Sequence, residues 1–108
     1  MNLTRLEHLQ KFYQEDPNDP FNIYALAIEY QNIDTDKALE YFKGLLEWHS
    51  QYLPTYYTIG KLYEQIKEYD KAILAYEHGI ELAKEQNETK ALRELNSALS
   101  NLKFELEE

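Results

Sequence analysis

Residues 53–86, LPTYYTIGKLYEQIKEYDKAILAYEHGIELAKEQ, decide the fold of this chain. Pro54 begins one stretch of helical spacing, a second begins near Asp70, and Lys67 lies in the turn between them. Apolar and small residues recur in both at intervals of three or four, as one face of a helix requires: Tyr56, Ile59, Gly60, Tyr63, Ala72 and Tyr76. The stretch therefore predicts two antiparallel helices whose small residues allow close packing.

The preceding residues, 20–52, carry a weaker copy of the same pattern. Ala27 lies 33 positions before Gly60, and Phe42 lies 34 positions before Tyr76. A repeat of this length is typical of helix pairs that stack on one another. The chain is therefore expected to be a short array of helix pairs.

At these positions the chain resembles the tetratricopeptide repeat family. The resemblance is carried by Tyr56, Ile59, Gly60, Tyr63, Tyr69, Ala72 and Tyr76, and less clearly by Ile23, Leu26, Ala27, Tyr30, Ala38 and Phe42. The chain departs from the family at Lys67, where Gly is favoured, and at Ser50 and Lys84, where the closing Pro is favoured. The resemblance implies an all-α fold, an α-solenoid of antiparallel helix hairpins, here with six helices.

A chain of 108 residues fits a single domain. We predict an N-terminal half-repeat helix over residues 2–16, a first repeat over 20–52, a second repeat over 53–86 and a C-terminal capping helix over 88–106. Pro17 ends the first helix, Asp19 is placed to cap the next one, and Pro20 suits its first turn.

The last predicted helix carries a stripe of leucines at alternating steps of three and four: Leu92, Leu95, Leu99, Leu102 and Leu106. If the chain breaks between Asn87 and Thr89, this helix folds back and caps the stack, as solenoids often require. If the helix continues from the one before it, the stripe is exposed and pairs with a second copy. We expect the cap and a monomer, with a homodimer as the alternative.

The family resemblance also indicates where a partner would bind. Tyr24 and Tyr57 are equivalent in the two repeats and fall on the helix face that lines the concave groove in this family. The predicted groove residues are Phe21, Tyr24, Ile28, Gln31, Tyr57, Lys61 and Glu64. Aromatic anchors in such a groove suit an extended peptide or one face of a helix. The alternative is that the last helix of the chain covers both tyrosines.

Composition limits the class of partner. The net charge is -9, and the 20 acidic and 11 basic residues are spread over both halves of the chain. Such a field disfavours nucleic acid and anionic membranes and favours a neutral or basic protein or peptide. The chain has no Cys, no signal-peptide pattern and no run of apolar residues long enough to cross a membrane. We therefore expect a cytoplasmic protein.

Catalysis is not predicted. His8, His49 and His78 lie far apart and form no ligand pair at helical spacing, and no phosphate-binding loop or nucleophile motif occurs. Trp48, beside His49, is expected to pack at the end of a helix. We predict a non-enzymatic scaffold or adaptor with no cofactor and no metal site.

Overall fold

The computed structural model describes residues 3–107, and these residues form six α-helices and no strand. The predicted all-α fold is therefore confirmed. Residue 2, where the first helix was expected to begin, lies outside the described part. The chain divides into two compact units, Met1–Tyr52 and Leu53–Glu108, which we call the N-terminal and C-terminal units.

The N-terminal unit contains α1 (Leu3–Glu15), α2 (Pro20–Tyr30) and α3 (Thr35–Trp48), and α2 packs against both of the others. Its fully buried side chains are Leu26, Ala27, Ala38, Phe42 and Leu45. An ion pair and a hydrogen bond between side chains help to join α1 to α2. The Nε of Arg5 lies 3.1 Å from a carboxylate oxygen of the buried Glu29, and the Nε2 of Gln10 donates to the Tyr30 hydroxyl at 2.9 Å.

Side-chain caps fix the starts of α2 and α3. The Asp19 carboxylate accepts from the Phe21 amide at 2.9 Å, directly before Pro20, which confirms the predicted cap and first turn. The Asp34 carboxylate accepts from the Lys37 amide at 3.2 Å. Each cap satisfies one amide that the helix itself leaves without a partner.

The C-terminal unit contains α4 (Pro54–Gln65), α5 (Tyr69–Gln86) and α6 (Thr89–Leu106). The central helix, α5, packs against both α4 and α6. The core of the C-terminal unit is formed by Leu53, Tyr56, Ile59, Leu62, Tyr63, Ala72, Ala75, Tyr76, Ile80, Leu82, Ala83, Leu95, Ala98 and Leu102. None of the described helices has the length and apolar character needed to span a membrane.

Two residues in the left-handed region end α4 and α5. Lys67 has a φ of 63° and Asn87 has a φ of 59°. After each, the next amide returns to a carbonyl in the last turn: Glu68 to Tyr63 at 2.8 Å, and Glu88 to Ala83 at 2.9 Å. This is the Schellman arrangement, which stops a helix and turns the chain. The chain therefore breaks at Asn87, and α6 folds back onto α5.

Two glycines bring the helices of the C-terminal unit close together. A Cβ at Gly60 would lie 2.7 Å from Cδ1 of the buried Tyr76 and 2.8 Å from its Cζ. A Cβ at Gly79 would lie 2.7 Å from the Cβ of Tyr56 and 3.0 Å from Cδ2 of Leu95. Both crossings are closer than any side chain larger than hydrogen allows.

Candidate interaction surfaces

One face of α4 brings together three of the predicted groove residues. Tyr57, Lys61 and Glu64 recur at intervals of four and three, so they follow one another along the helix surface. The Lys61 Nζ lies 5.7 Å from the centre of the Tyr57 ring and 3.9 Å from Oε2 of Glu64. The Tyr57 side chain is 38% exposed. This face therefore presents an aromatic ring with a lysine held beside it.

The last helix borders this face. A cavity of about 400 Å³ lies between α4 and α6, and we call it the α4–α6 cleft. Its lining combines one aromatic ring with charged and neutral polar groups: Tyr57, Lys61, Arg93, Glu94, Ser97, Ala98 and Asn101. The fold-back of α6 thus forms one wall of the cleft and leaves Tyr57 partly exposed.

Tyr76 contacts two residues of this α4 face, Glu64 and Tyr57. Its hydroxyl donates to Oε2 of Glu64, and its ring centre lies 6.3 Å from that of Tyr57. The pKa of Tyr76 is raised far above its usual value, first by burial and then by the hydrogen bond to Glu64 and the charges of Glu64 and Tyr57. Tyr76 therefore holds the Glu64 carboxylate in place only while it keeps its proton.

This raised pKa predicts a loss of stability at alkaline pH. An unfolded tyrosine releases its proton near pH 10.0, whereas folded Tyr76 retains it, so the free energy of unfolding falls as pH rises above that value. A tyrosine that keeps its proton in the folded state and loses it in the unfolded state steepens this decline in the free energy of unfolding by up to about 1.4 kcal/mol per pH unit. Replacing Tyr76 by Phe should make the alkaline decline shallower by about this amount. Urea denaturation at a series of pH values measures both slopes, and equal slopes would contradict the prediction.

The predicted groove residues of the N-terminal unit have different surroundings. Phe21 is exposed at the start of α2, and Ile28 and Gln31 are partly buried. The Tyr24 ring packs edge-on against Phe42 and Tyr52, with ring centres 6.3 Å and 5.6 Å away. Tyr24 is therefore part of the internal aromatic packing of this unit.

A second cavity, missed by the sequence analysis, lies in the N-terminal unit between α1, the α1–α2 turn and α3. We call it the α1–α3 cavity; its volume is about 400 Å³ and its lining is Tyr13, Pro17, Asn18, Ile23, Glu40, Tyr41, Gly44, Trp48 and His49. The expectation that Trp48 packs at a helix end is wrong, because its side chain is 76% exposed. Tyr41, Gly44 and Trp48 are spaced three and four residues apart, which places them on one face of α3. This spacing is the sequence pattern from which the cavity wall could have been predicted.

The leucine stripe of α6 is largely internal to the C-terminal unit. Leu95 and Leu102 are each 1% exposed, Leu92 and Leu99 are partly buried, and Leu106 is 46% exposed. Leu95 reaches the close crossing at Gly79 on α5. The stripe is therefore covered mainly by the chain's own α5.

Comparison with known proteins gives the family. The sequence model of the tetratricopeptide repeat matches residues 53–86. In a crystal structure of a tetratricopeptide repeat domain protein from Salinibacter ruber, the sequence is 43% identical to this chain. The two structures match with a TM-score of 0.74, and the match covers 79% of this chain and 97% of that one. The chain belongs to the tetratricopeptide repeat family.

A solution NMR structure of a tetratricopeptide repeat domain protein from Salinibacter ruber agrees with this assignment. It is 44% identical, with a TM-score of 0.77 over 81% of this chain and 89% of that one. No curated protein matches the sequence.

Membership of the tetratricopeptide repeat family separates framework residues from surface residues. Gly60, Ala72 and Tyr76 are framework positions in the second repeat and are buried within the C-terminal unit. Tyr57 and Lys61 lie off the repeat pattern and reach the surface. Within residues 3–107, no three His, Asp or Glu side chains are placed to hold a metal ion. The residues that lie off the repeat pattern and reach the surface are therefore the candidates for contact with a partner.

Proposed function

We propose that this chain is a non-catalytic protein–protein interaction module that binds a peptide or a helix of another protein in the α4–α6 cleft. The observation that carries the proposal is the partly exposed Tyr57 ring, held between Lys61 and the buried Tyr76 ring at the edge of that cleft. Aromatic rings on rigid helices contribute much of the energy at protein interfaces because little side-chain freedom is lost on binding.

The polar lining of the cleft suits a peptide backbone. Ser97 and Asn101 offer hydroxyl and amide groups, and Arg93 and Glu94 offer charges of both signs. These groups can pair with the amides, carbonyls and side chains of an extended segment. The C-terminal unit carries seven basic and eleven acidic residues, which is a net charge of -4. This charge favours a neutral or basic partner.

The predicted residues of the N-terminal unit, Phe21, Tyr24, Ile28 and Gln31, remain a prediction for partner binding. Phe21 is the most accessible of them.

The competing function, a spacer that dimerises through α6, gains no support, because Leu95 and Leu102 are already buried in a single chain. We therefore favour a monomer in the cytoplasm, with a partner protein and without nucleic acid, membrane or cofactor.

Replacing Tyr57 by Ala should weaken peptide binding at least tenfold, as expected for an aromatic anchor. Peptides are first selected from a random displayed library on the wild-type protein, and their affinities for each variant are then measured by calorimetry. The matched control is Tyr69→Ala, since Tyr69 is 36% exposed on the same unit but does not line the cleft. Circular dichroism checks that both variants remain folded.

The proposed site is wrong if the selected peptides bind folded Tyr57→Ala as tightly as the wild type. It is equally wrong if Tyr69→Ala loses as much affinity as Tyr57→Ala, because the effect would then not belong to the cleft. Failure to select any peptide that saturates the wild-type protein would count against the interaction function itself.

A further inference from the structure

We propose that the α1–α3 cavity binds an arginine side chain of a partner protein, with its guanidinium against the Trp48 and Tyr41 rings and the Glu40 carboxylate. The site lies in the N-terminal unit, so it goes beyond the function proposed for the α4–α6 cleft and does not depend on it. Four features of the cavity favour a cation.

The first feature is the aromatic lining. Tyr13 meets Tyr41 edge to face, with ring centres 5.8 Å apart and an interplanar angle of 78°. Trp48 adds a third ring to the lining and is 76% exposed. The faces of Trp and Tyr rings carry partial negative charge and attract cations, with Trp the strongest.

The second feature is the charge of the lining. Glu40 supplies a carboxylate, and none of the described lining residues is Lys or Arg. The surrounding unit contains four basic and nine acidic residues, which is a net charge of -5 over residues 1–52. A cation entering the cavity therefore meets an attractive local charge and an attractive long-range field.

The third feature is the position of two helix ends. Tyr13 lies in the last turn of α1 and Trp48 is the last residue of α3, so the carboxyl-terminal turns of both helices contribute to the cavity lining. The carboxyl end of a helix carries partial negative charge, usually matched by a basic residue. Neither α1 nor α3 has a basic residue in its last turn. A cation from outside the chain would complement both ends.

The fourth feature is the environment of the Tyr41 hydroxyl. The pKa of Tyr41 is raised, first by burial and then by Tyr30, Tyr13 and Glu40. Burial opposes a charge of either sign, whereas the nearby Glu40 carboxylate opposes only a negative charge and would attract a cation. Tyr30 stacks on Tyr41 with ring centres 5.8 Å apart, which fixes the ring that faces the cavity.

Arginine fits these features better than lysine. A guanidinium is planar, so it stacks on Trp and Tyr rings and still forms paired hydrogen bonds to a carboxylate such as Glu40. Gly44 leaves room for the side chain to enter, because a Cβ at this position would meet no described atom within 4 Å. An ammonium group, by contrast, is compact and strongly hydrated, and uses the flat rings less well.

The test uses Trp48 as its reporter, since it is the single Trp of the chain. The intact protein is titrated with acetyl-Gly-Arg-Gly-amide, followed by Trp fluorescence and by the indole N–H signal in NMR spectra. We expect a saturable change with a dissociation constant on the order of 1 mM, the range for one side chain. Matched peptides carry citrulline, a neutral analogue of arginine, or lysine, and both should bind at least fivefold more weakly.

Three variants connect the signal to the cavity. Glu40→Gln removes the charge and keeps the shape, so it should weaken binding of the arginine peptide at least fivefold. Glu7→Gln makes the same charge change at an exposed position of α1 outside the cavity and should leave binding unchanged. Gly44→Leu places a larger side chain at the cavity, where a Cβ meets no described atom within 4 Å, and a variant that circular dichroism shows to be folded should lose the binding signal.

Several results would overturn the proposal. Absence of a saturable signal with the arginine peptide would do so, as would equal binding of the citrulline or lysine peptide. An equal effect of Glu7→Gln and Glu40→Gln would show a general charge effect instead of a site. Unchanged binding by folded Gly44→Leu would place the peptide elsewhere. A wild-type dimer that Gly44→Leu converts to a monomer in light scattering would make a second copy the occupant.

Discussion

Replacing Leu95 by Ala is expected to lower the free energy of unfolding by about 2–5 kcal/mol, the range for large-to-small changes in a packed core. Leu95 is 1% exposed, and its side chain reaches the crossing at Gly79. The truncation therefore removes apolar contact and leaves a cavity where α6 meets α5. Urea denaturation followed by far-ultraviolet circular dichroism measures the change.

Leu106→Ala is the matched control for this prediction. It makes the same substitution on the same helix at a side chain that is 46% exposed, so its effect should stay within about 0.5 kcal/mol. If both variants lose equally little stability, α6 does not pack against α5 as described. If Leu95→Ala instead converts a dimer to a monomer in light scattering, the leucine stripe serves self-association.

Replacing Gly60 by Ala is expected to destabilise the protein by about 1–3 kcal/mol, even though alanine favours helices. The added methyl group would lie 2.7 Å from Cδ1 of Tyr76, whose ring is fully buried and bonded through its hydroxyl to Glu64. Because burial and this hydrogen bond restrain the ring, we expect the added methyl group to push α4 away from α5. Thermal denaturation gives the sign of the change directly.

Gly44→Ala provides a control of opposite sign. A Cβ at Gly44 would meet no described atom within 4 Å, so helix propensity alone acts and should stabilise α3 by up to about 1 kcal/mol. If both alanine variants shift stability in the same direction, the close crossing at Gly60 is not the cause. The pair thus separates packing from propensity within one protein.

Much of the architecture was predictable because it depends on residues close in sequence. The cap at Asp19 and the helix start at Pro20 are formed by neighbouring residues, and the small residue at Gly60 lies on a helix face that the repeat pattern identifies. The break at Asn87 was left open, because a left-handed residue in a polar stretch has a weak sequence signal when it is not Gly.

The surfaces were harder to predict, because they combine residues from separate helices. The α1–α3 cavity joins Tyr13 to Trp48, and only the packing of the helices reveals that they share one lining. The wall that α6 adds beside Tyr57 follows from the fold-back at Asn87. Phe12 shows the same limit: it follows Leu6 and Leu9 at intervals of three along α1, but it is exposed. Periodicity identifies a face of a helix, and tertiary packing decides what covers that face.

The order in which the helices pack has a consequence for how the chain folds. Within the two units, α1 packs on α2, α2 on α3, α4 on α5 and α5 on α6, so these contacts join neighbours along the chain. Forming them requires only short loops to close, which costs little chain entropy before favourable contacts are gained. Within each unit, folding can therefore begin at either helix pair and spread to the other, without waiting for distant segments to meet.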